Sequence, residues 1–481
     1  MDGDDFDSKT DAFLAWLANI GVVMSPKVAL VDLRSDGRGR GLVALADIEE
    51  DEVLFSIPRS AVLNTTTALN SSDISTIPAI LEMPSWLALT AIILAEGQRP
   101  DSKWAPYLAL LPRELDSLVF WSEAELQELQ ASTVVQKIGR AAAEVMFSQH
   151  ISPLKLENGS VEMCHRVASI IMAYAFDIPE KASQDGPENE RAEEGDDLVS
   201  DDGEDEKTIL SMIPLADMLN ADAARNNARL CCDNEDLEMR SIKQISRGDE
   251  IFNDYGQLPQ SDLLRRYGYT TDNYASYDVA EVSTQSILSS LAKEQQLSAG
   301  QPLQPLSREQ LERRVELAQR EGVYEDSYDI CHPGPDGPSI PDELLGLLYL
   351  LLLDEENLAV IESSQTSMSS WSKLATSLVG QVLTIVLESR TKDYPTSIEE
   401  DRAILKAGNL TNRQAMAIQV RLGEKLVLEK AMQEAKSFSG SDKKMRLNQD
   451  APPINEADSR SSKGKRKVED NTTGRKKGRF R

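Results

Sequence analysis

The period of the apolar pattern changes four times along this chain, and that narrows the folds open to it more than any other feature. Between 28 and 64 it runs in short β-rich blocks (VALVDL, LVALADI, EVLFSIP) separated by Gly and Asp-Glu turns. Helical spacing then takes over at 86–96, 123–147 and 161–176. Strand-like runs resume at 228–232 and 237–245, Arg247-Gly248-Asp249 forms a turn, and Ile251-Phe252 is a last short strand before a helix over 258–268. Strands interrupted by a long helical insertion, then more strands, define an α+β fold and not an alternating βαβ one.

The ends differ from this block. Residues 11–20 form an amphipathic helix with Phe13, Leu14, Leu17 and Ile20 on one face, Thr10 as cap and Gly21 as stop. Beyond about 278 the spacing is helical, at 308–321, 341–353, 373–388, 398–407 and 411–435. The expected organisation is an N-terminal helix over 1–27, an α+β domain over 28–272 with a helical insert at about 80–178, a helical domain over 278–436, and a disordered basic tail over 437–481.

Net charge is -29, and a field of that sign repels nucleic acid and attracts cationic partners, or serves only solubility. The acidity is concentrated in 180–207, which holds almost no apolar residue and reads as a disordered loop. The tail reverses the sign, with Lys463-Gly464-Lys465-Arg466-Lys467 and Arg475-Lys476-Lys477-Gly478-Arg479. Two such clusters read as a bipartite nuclear import signal; the other reading is a solvated tail or nonspecific RNA contact. With 4 Cys, no Cys-x-x-Cys pair and 3 His, a structural zinc site is not expected. No apolar run reaches the roughly 18–20 residues of a membrane span, and the chain opens acidic, so an intracellular, soluble protein is expected.

Three segments carry candidate chemistry. Asn253-Asp254-Tyr255-Gly256 puts a tyrosine at a strand-to-turn junction. Pro214-Leu215-Ala216-Asp217-Met218-Leu219-Asn220 ends an apolar run on an amide that donates and accepts at once. Gly39-Arg40-Gly41 follows a strand, where small residues admit close approach of a ligand to the backbone. Each has a plainer alternative: an aromatic packed beside a turn, a helix C-cap, or a basic Gly-Arg tag for nucleic acid.

In this order the three segments resemble the SET-domain protein lysine methyltransferases, in the branch that includes Rubisco large-subunit methyltransferase, SETD-six-type enzymes and the fungal ribosomal lysine methyltransferases. The resemblance spans about 28–269 and is looser to about 435. It implies a knotted SET β-fold with a helical insert, followed by an all-α substrate-binding domain. It implies S-adenosyl-L-methionine as cosubstrate, no metal, and Tyr255 as the catalytic tyrosine. Gly39, Arg40, Gly41, Tyr174, Asn220, Ala221 and Tyr267 would hold the cosubstrate, and Trp104, Asp177 and Asp217 the substrate. Tyr267 read alone is a helix-end aromatic, and Trp104 an insert-core one. Ala221 stands where the family usually has His after the asparagine, which marks the branch or, alternatively, a SET-fold binding protein without activity. The substrate implied is a basic protein, a large-subunit ribosomal protein being nearest and a nuclear regulatory protein the alternative, with no direct nucleic-acid binding, no membrane, and a nuclear location.

Overall fold

The computed structural model describes residues 3–69, 78–180, 208–232, 235–293, 295–297, 302–334, 338–363 and 371–445. Residues 181–207 and 446–481 lie outside the described residues, whereas 437–445, expected as the start of the disordered tail, are described, with Gly440 bridging to Thr376 and Met445 to Leu353. The chain divides into two compact units. The first comprises Met1–Trp121, Gln136–Gln257 and Asp262–Tyr269, and the second Ser122–Val135, Leu258–Ser261 and Thr270–Arg481. Ser122–Val135, expected within the helical insert, thus belongs with the second unit.

The first unit carries nine strands among its described residues. Antiparallel pairing orders β1 (Val23–Met24), β4 (Val53–Pro58), β8 (Asp236–Ser241) and β7 (Ala228–Cys231) in one sheet. A second sheet joins β2 (Val28–Asp32), β3 (Arg40–Ala44) and β9 (Glu250–Ile251). The remaining two, β5 (Phe176–Pro179) and β6 (Thr208–Ser211), form a hairpin-like pair. In β8 alternate residues are buried, so Leu237 and Met239 enter the core while Glu238 and Arg240 face outward and pair at 2.7 Å.

Three helices complete the framework. Helix α1 spans Gly3–Asn19, further toward the N-terminus than the expected start at 11. Thr10 is not its cap: its hydroxyl donates to the Phe6 carbonyl one turn back. In α2 (Ser85–Glu96), Leu87 to Leu94 are buried all round, as in a helix enclosed by its domain. Ser160 caps α3 (Val161–Tyr174) by accepting from the Met163 N–H, and α3 packs on α2. The expected helix to 176 ends at Tyr174, because Ala175 turns extended and Phe176 begins β5. The single helix expected over 123–147 is also broken. Short helices occupy Glu123–Gln127, Thr133–Lys137 and Arg140–Met146, with Gln130 (φ 53°) and Gly139 (φ 71°) in left-handed turns between them.

The link that closes the first unit is made by one amide side chain. Asn227, buried ahead of β7, donates through Nδ2 to the Glu250 carbonyl at 2.9 Å and accepts at Oδ1 from the Phe252 N–H at 2.8 Å. Along the same line the Asn253 N–H donates to the Asn220 carbonyl at 2.9 Å. On the opposite side β9 pairs with β3, Leu42 opposite Ile251 and Val43 opposite Glu250. The late segment 250–253 is therefore held between β3 and the chain at 220–228.

In the second unit the long apolar run becomes helix Asp342–Leu352, whose leucines are buried. Helices Arg308–Arg320, Ser377–Thr391, Ile398–Ala407 and Asn412–Lys436 lie within two residues of expectation at most of their ends, Ser377–Thr391 starting four residues later. Helix Glu355–Ser363 and the antiparallel pair Val279–Ser283 with Ser327–Cys331 were not expected. Inside this unit Asp401, fully buried, bonds Lys425 and, at 2.9 Å, Arg421. Arg421 also reaches the Glu128 carboxylate at 3.3 Å, so two acids balance the two cations.

Replacing Asn227 by Ala leaves the Glu250 carbonyl and the Phe252 N–H without partners. Asn227→Ala is expected to lower unfolding stability by roughly 1–3 kcal/mol, read as a reduced urea midpoint. A midpoint equal to wild type would remove Asn227 from the role of closing link.

Candidate functional site

Beside this closing segment lies a cleft of about 530 Å³, open to solvent. Its walls come from four places in the sequence. The end of α3 and start of β5 supply Tyr174, Ala175 and Phe176. The turn after β6 supplies Ala216, Asp217 and Leu219, and the segment after β9 supplies Asn253, Asp254 and Tyr255. Tyr267, last residue of helix Gln260–Tyr267, closes the set.

Backbone geometry explains how each side chain arrives. Tyr174 is delivered because α3 stops on it. Leu215, buried, has φ 79° and ψ -43°, a conformation that costs a non-glycine residue about 1–3 kcal/mol. That turn, followed by the one-turn helix Ala216–Met218, sets Asp217 against the cleft. Gly268 has φ 77°, and a Cβ there would lie 2.7 Å from the Asp116 and Ser117 backbone, so only glycine lets Tyr267 and Tyr269 leave the helix end as they do.

Tyr255 and Tyr267 stack with ring centroids 4.3 Å apart and planes 4° from parallel. Tyr269 meets Tyr267 edge-on at 6.3 Å. Burial raises the phenols of Tyr267 and Tyr269 above their ordinary range, and burial with the nearby Asp217 pushes Tyr174 up to about 12. These phenols are neutral at physiological pH. The Asp217 carboxyl is pushed up to about 7 by burial, against the lowering effect of the hydrogen bond it accepts at Oδ2 from the Tyr107 hydroxyl. Its other oxygen, Oδ1, is buried and has no hydrogen-bond partner.

Asn220, next to the cleft, is held from two sides. Its Nδ2 donates to Glu250 Oε1 at 2.7 Å and to the Arg40 carbonyl at 3.4 Å. Ala221 contributes only backbone, bridging in parallel to Asn253. Gly41 is buried against this group: a Cβ there would sit 3.0 Å from Asn220 Nδ2 and 2.9 Å from Glu250 Oε1. Gly39 is exposed with open space around its Cα, and the Arg40 guanidinium packs over Phe6 at 3.8 Å and donates to Thr10.

The structure thus brings Tyr174, Asp217, Tyr255 and Tyr267 to one cleft, with Asn220, Ala221 and Gly41 alongside. Asp177 is exposed on β5, next to Phe176 of the cleft wall. Trp104 does not line a groove. It is fully buried in the core of the first unit, its Nε1 donating to the Ala61 carbonyl at 3.2 Å. The aromatic of that segment that reaches the site is Tyr107, three residues on, through Asp217. Glu250 was also missed. Neither was singled out, because no local pattern marks a side chain whose partner is distant in sequence. Among the described residues no group of His, Cys, Asp and Glu could hold a metal ion, and no helix is long and apolar enough to cross a membrane.

These features coincide with matches to known proteins. The SET domain family matches residues 39–256, and the Rubisco LSMT substrate-binding family matches 305–428. Ribosomal lysine N-methyltransferase 4 of Saccharomyces cerevisiae is 36% identical over 304 residues, 60% of this chain and 60% of that protein. N-lysine methyltransferase setd6 of Danio rerio is 27% identical over 462 residues, 89% of this chain and 95% of that protein. Rubisco LSMT bound to AdoMet has a TM-score of 0.65 at 22% identity, covering 89% of this chain and 91% of that one. The SET domain of LSMT bound to lysine and AdoHcy gives 0.64 at 21%, with the same coverage. The chain belongs to the SET-domain protein lysine methyltransferases, in the branch that joins this domain to a largely helical Rubisco LSMT substrate-binding domain.

A carboxyl near pH 7 in the folded protein and near 4 in the unfolded chain binds one extra proton on folding between those values. Stability therefore falls as pH rises through that window, by up to about 1.4 kcal/mol per pH unit. Asp217→Asn is expected to remove this slope, so that the variant gains on wild type between pH 5 and pH 8, as thermal melts across that range would record. Parallel melting profiles would contradict it.

Proposed function

We propose that this chain is an S-adenosyl-L-methionine-dependent protein-lysine N-methyltransferase that monomethylates a lysine of a large-subunit ribosomal protein, acting in the nucleus. The observation that carries the reading is the cleft itself. Stacked Tyr255 and Tyr267, neutral Tyr174 and the half-satisfied Asp217 carboxyl converge there beside the Asn220 amide. Aromatic faces and a carboxylate suit the approach of a lysine ammonium, and a neutral hydroxyl suits its uncharged form once the proton has left to solvent.

The cosubstrate fits the residues present. Gly41 lies where a side chain would collide with Asn220 and Glu250, and the Asn220 amide oxygen, opposite its inward-bonded nitrogen, matches an ammonium. Asn220, the backbone of Gly39 to Gly41 and of Ala221, and the rings of Tyr174 and Tyr267 would hold it. When bound it supplies a methyl on a sulfonium sulfur, which the amine nitrogen takes as the carbon–sulfur bond breaks and its electron pair returns to sulfur. The protein's part is alignment and exclusion of water, with the Tyr255 hydroxyl directing the amine lone pair. Ala221 is compatible with this, since position 221 acts here through its backbone bridge to Asn253.

The net charge of -29 supports a strongly basic substrate, and the basic tail supports a nuclear address. The yeast relative's name supports a ribosomal target; its aligned part spans 60% of that protein. The test is incubation with radiolabelled cosubstrate and ribosomal extract lacking endogenous methyltransferase. One small basic band is expected to be labelled, with turnover reduced about 10²-fold or more in Tyr255→Phe. Label on a nuclear regulatory protein instead would redirect the substrate assignment, and binding of cosubstrate without transfer to any protein would favour a binding role.

A further inference from the structure

Asn220 can recognise an ammonium only if its amide faces the right way, and the structure shows what turns it. Its Nδ2 lies 2.7 Å from a carboxylate oxygen of Glu250 and 3.4 Å from the Arg40 carbonyl. Both partners are acceptors, so the nitrogen end must face them, and the amide orientation is set by chemistry. Both Nδ2 protons are thereby used inward. The Oδ1 end takes no hydrogen bond among the described residues.

Glu250 is fixed in turn. Its other oxygen pairs with Arg38, it is about nine-tenths buried, and its place in β9 is set by pairing with Val43. Gly41 leaves just enough room for the contact, since a Cβ would come within 2.9 Å of Glu250 and 3.0 Å of Asn220. An arginine holds the carboxylate in place, and the carboxylate, an acceptor at both oxygens, fixes the polarity of the amide.

We infer that Glu250, held by Arg38, is a positioning residue that locks the Asn220 amide with its oxygen outward, so that the site selects a cosubstrate bearing a free α-ammonium group. The inference rests on the methyltransferase reading of the cleft and goes beyond it by giving the cosubstrate site a polarity. Glu250→Gln leaves one acceptor oxygen for two donors, Arg38 and Asn220, and the charged guanidinium makes the stronger claim on it. If the new amide keeps its oxygen toward Asn220, its NH2 faces the Arg38 guanidinium. If it turns its oxygen to Arg38, its NH2 faces Asn220, whose amide must flip and point NH2 outward against an ammonium.

The test is calorimetric binding of two ligands to the full chain. One is S-adenosyl-L-homocysteine, and the other is its analogue lacking only the α-amino group. Wild type is expected to prefer the amino ligand by at least 10-fold, and Glu250→Gln to shrink that preference to 3-fold or less while binding the desamino ligand as wild type does. A variant that loses both ligands equally, or keeps the full preference, overturns the positioning role. Wild type binding both ligands alike overturns it too, whereas wild type binding neither would overturn the methyltransferase reading as well.

Discussion

One buried amide decides where the functional end of this chain lies. Asn227 offers a donor and an acceptor on one rigid group, so it satisfies the Glu250 carbonyl and the Phe252 N–H as a neighbouring strand would. With β3 on the other edge, the segment 250–253 has little freedom left. Tyr255 follows two residues later, and Asn220, bonded to Asn253, is tied to the same short stretch. The candidate catalytic ring and the candidate cosubstrate amide are thus anchored to one backbone span and not to separate loops. Rigid support of this kind is what a reaction dependent on alignment needs.

Charge is handled differently at the surface and in the cleft. The chain as a whole is strongly acidic, yet Glu250 is balanced by Arg38 and Asp401 by Lys425 and Arg421. Asp217 has no cation opposite it and one unused oxygen. A carboxyl in that state waits for a partner, and burial leaves it half-protonated near neutral pH. Burial sets this poise, and the hydrogen bond from the Tyr107 hydroxyl opposes it.

Much of the fold was legible because the apolar period is strong. The β blocks at 28–64, helix Ile398–Ala407 and the buried leucines of Asp342–Leu352 are encoded in local spacing. The site was legible where a short segment carries its own signature, as around Tyr255 and Asn220. It was not legible where the decisive partner is remote. Trp104 and Tyr107 are equally apolar to a pattern, and only the fold shows that one is core and the other reaches Asp217. Glu250 falls between the turn at 247–249 and the strand at 251–252 with no pattern of its own, and its Arg38 partner lies 212 positions earlier. The strands Val279–Ser283 and Ser327–Cys331 escaped notice because five residues flanked by helices give too little alternation to count.

The ties that build the site also set when it can exist. Asn220 meets Arg40 across 180 positions, and Glu250 meets Arg38 across 212. Contacts so distant along the chain form late, since the intervening polymer must first be ordered. During synthesis, β3 and α2 emerge long before the strand that will lie against β3. The cleft has no partial form to offer until residues beyond Tyr255 have left the ribosome and Asn227 has taken its place. Any molecule that fits there therefore reports on a finished domain, and its capture would mark the moment when the last strand is seated.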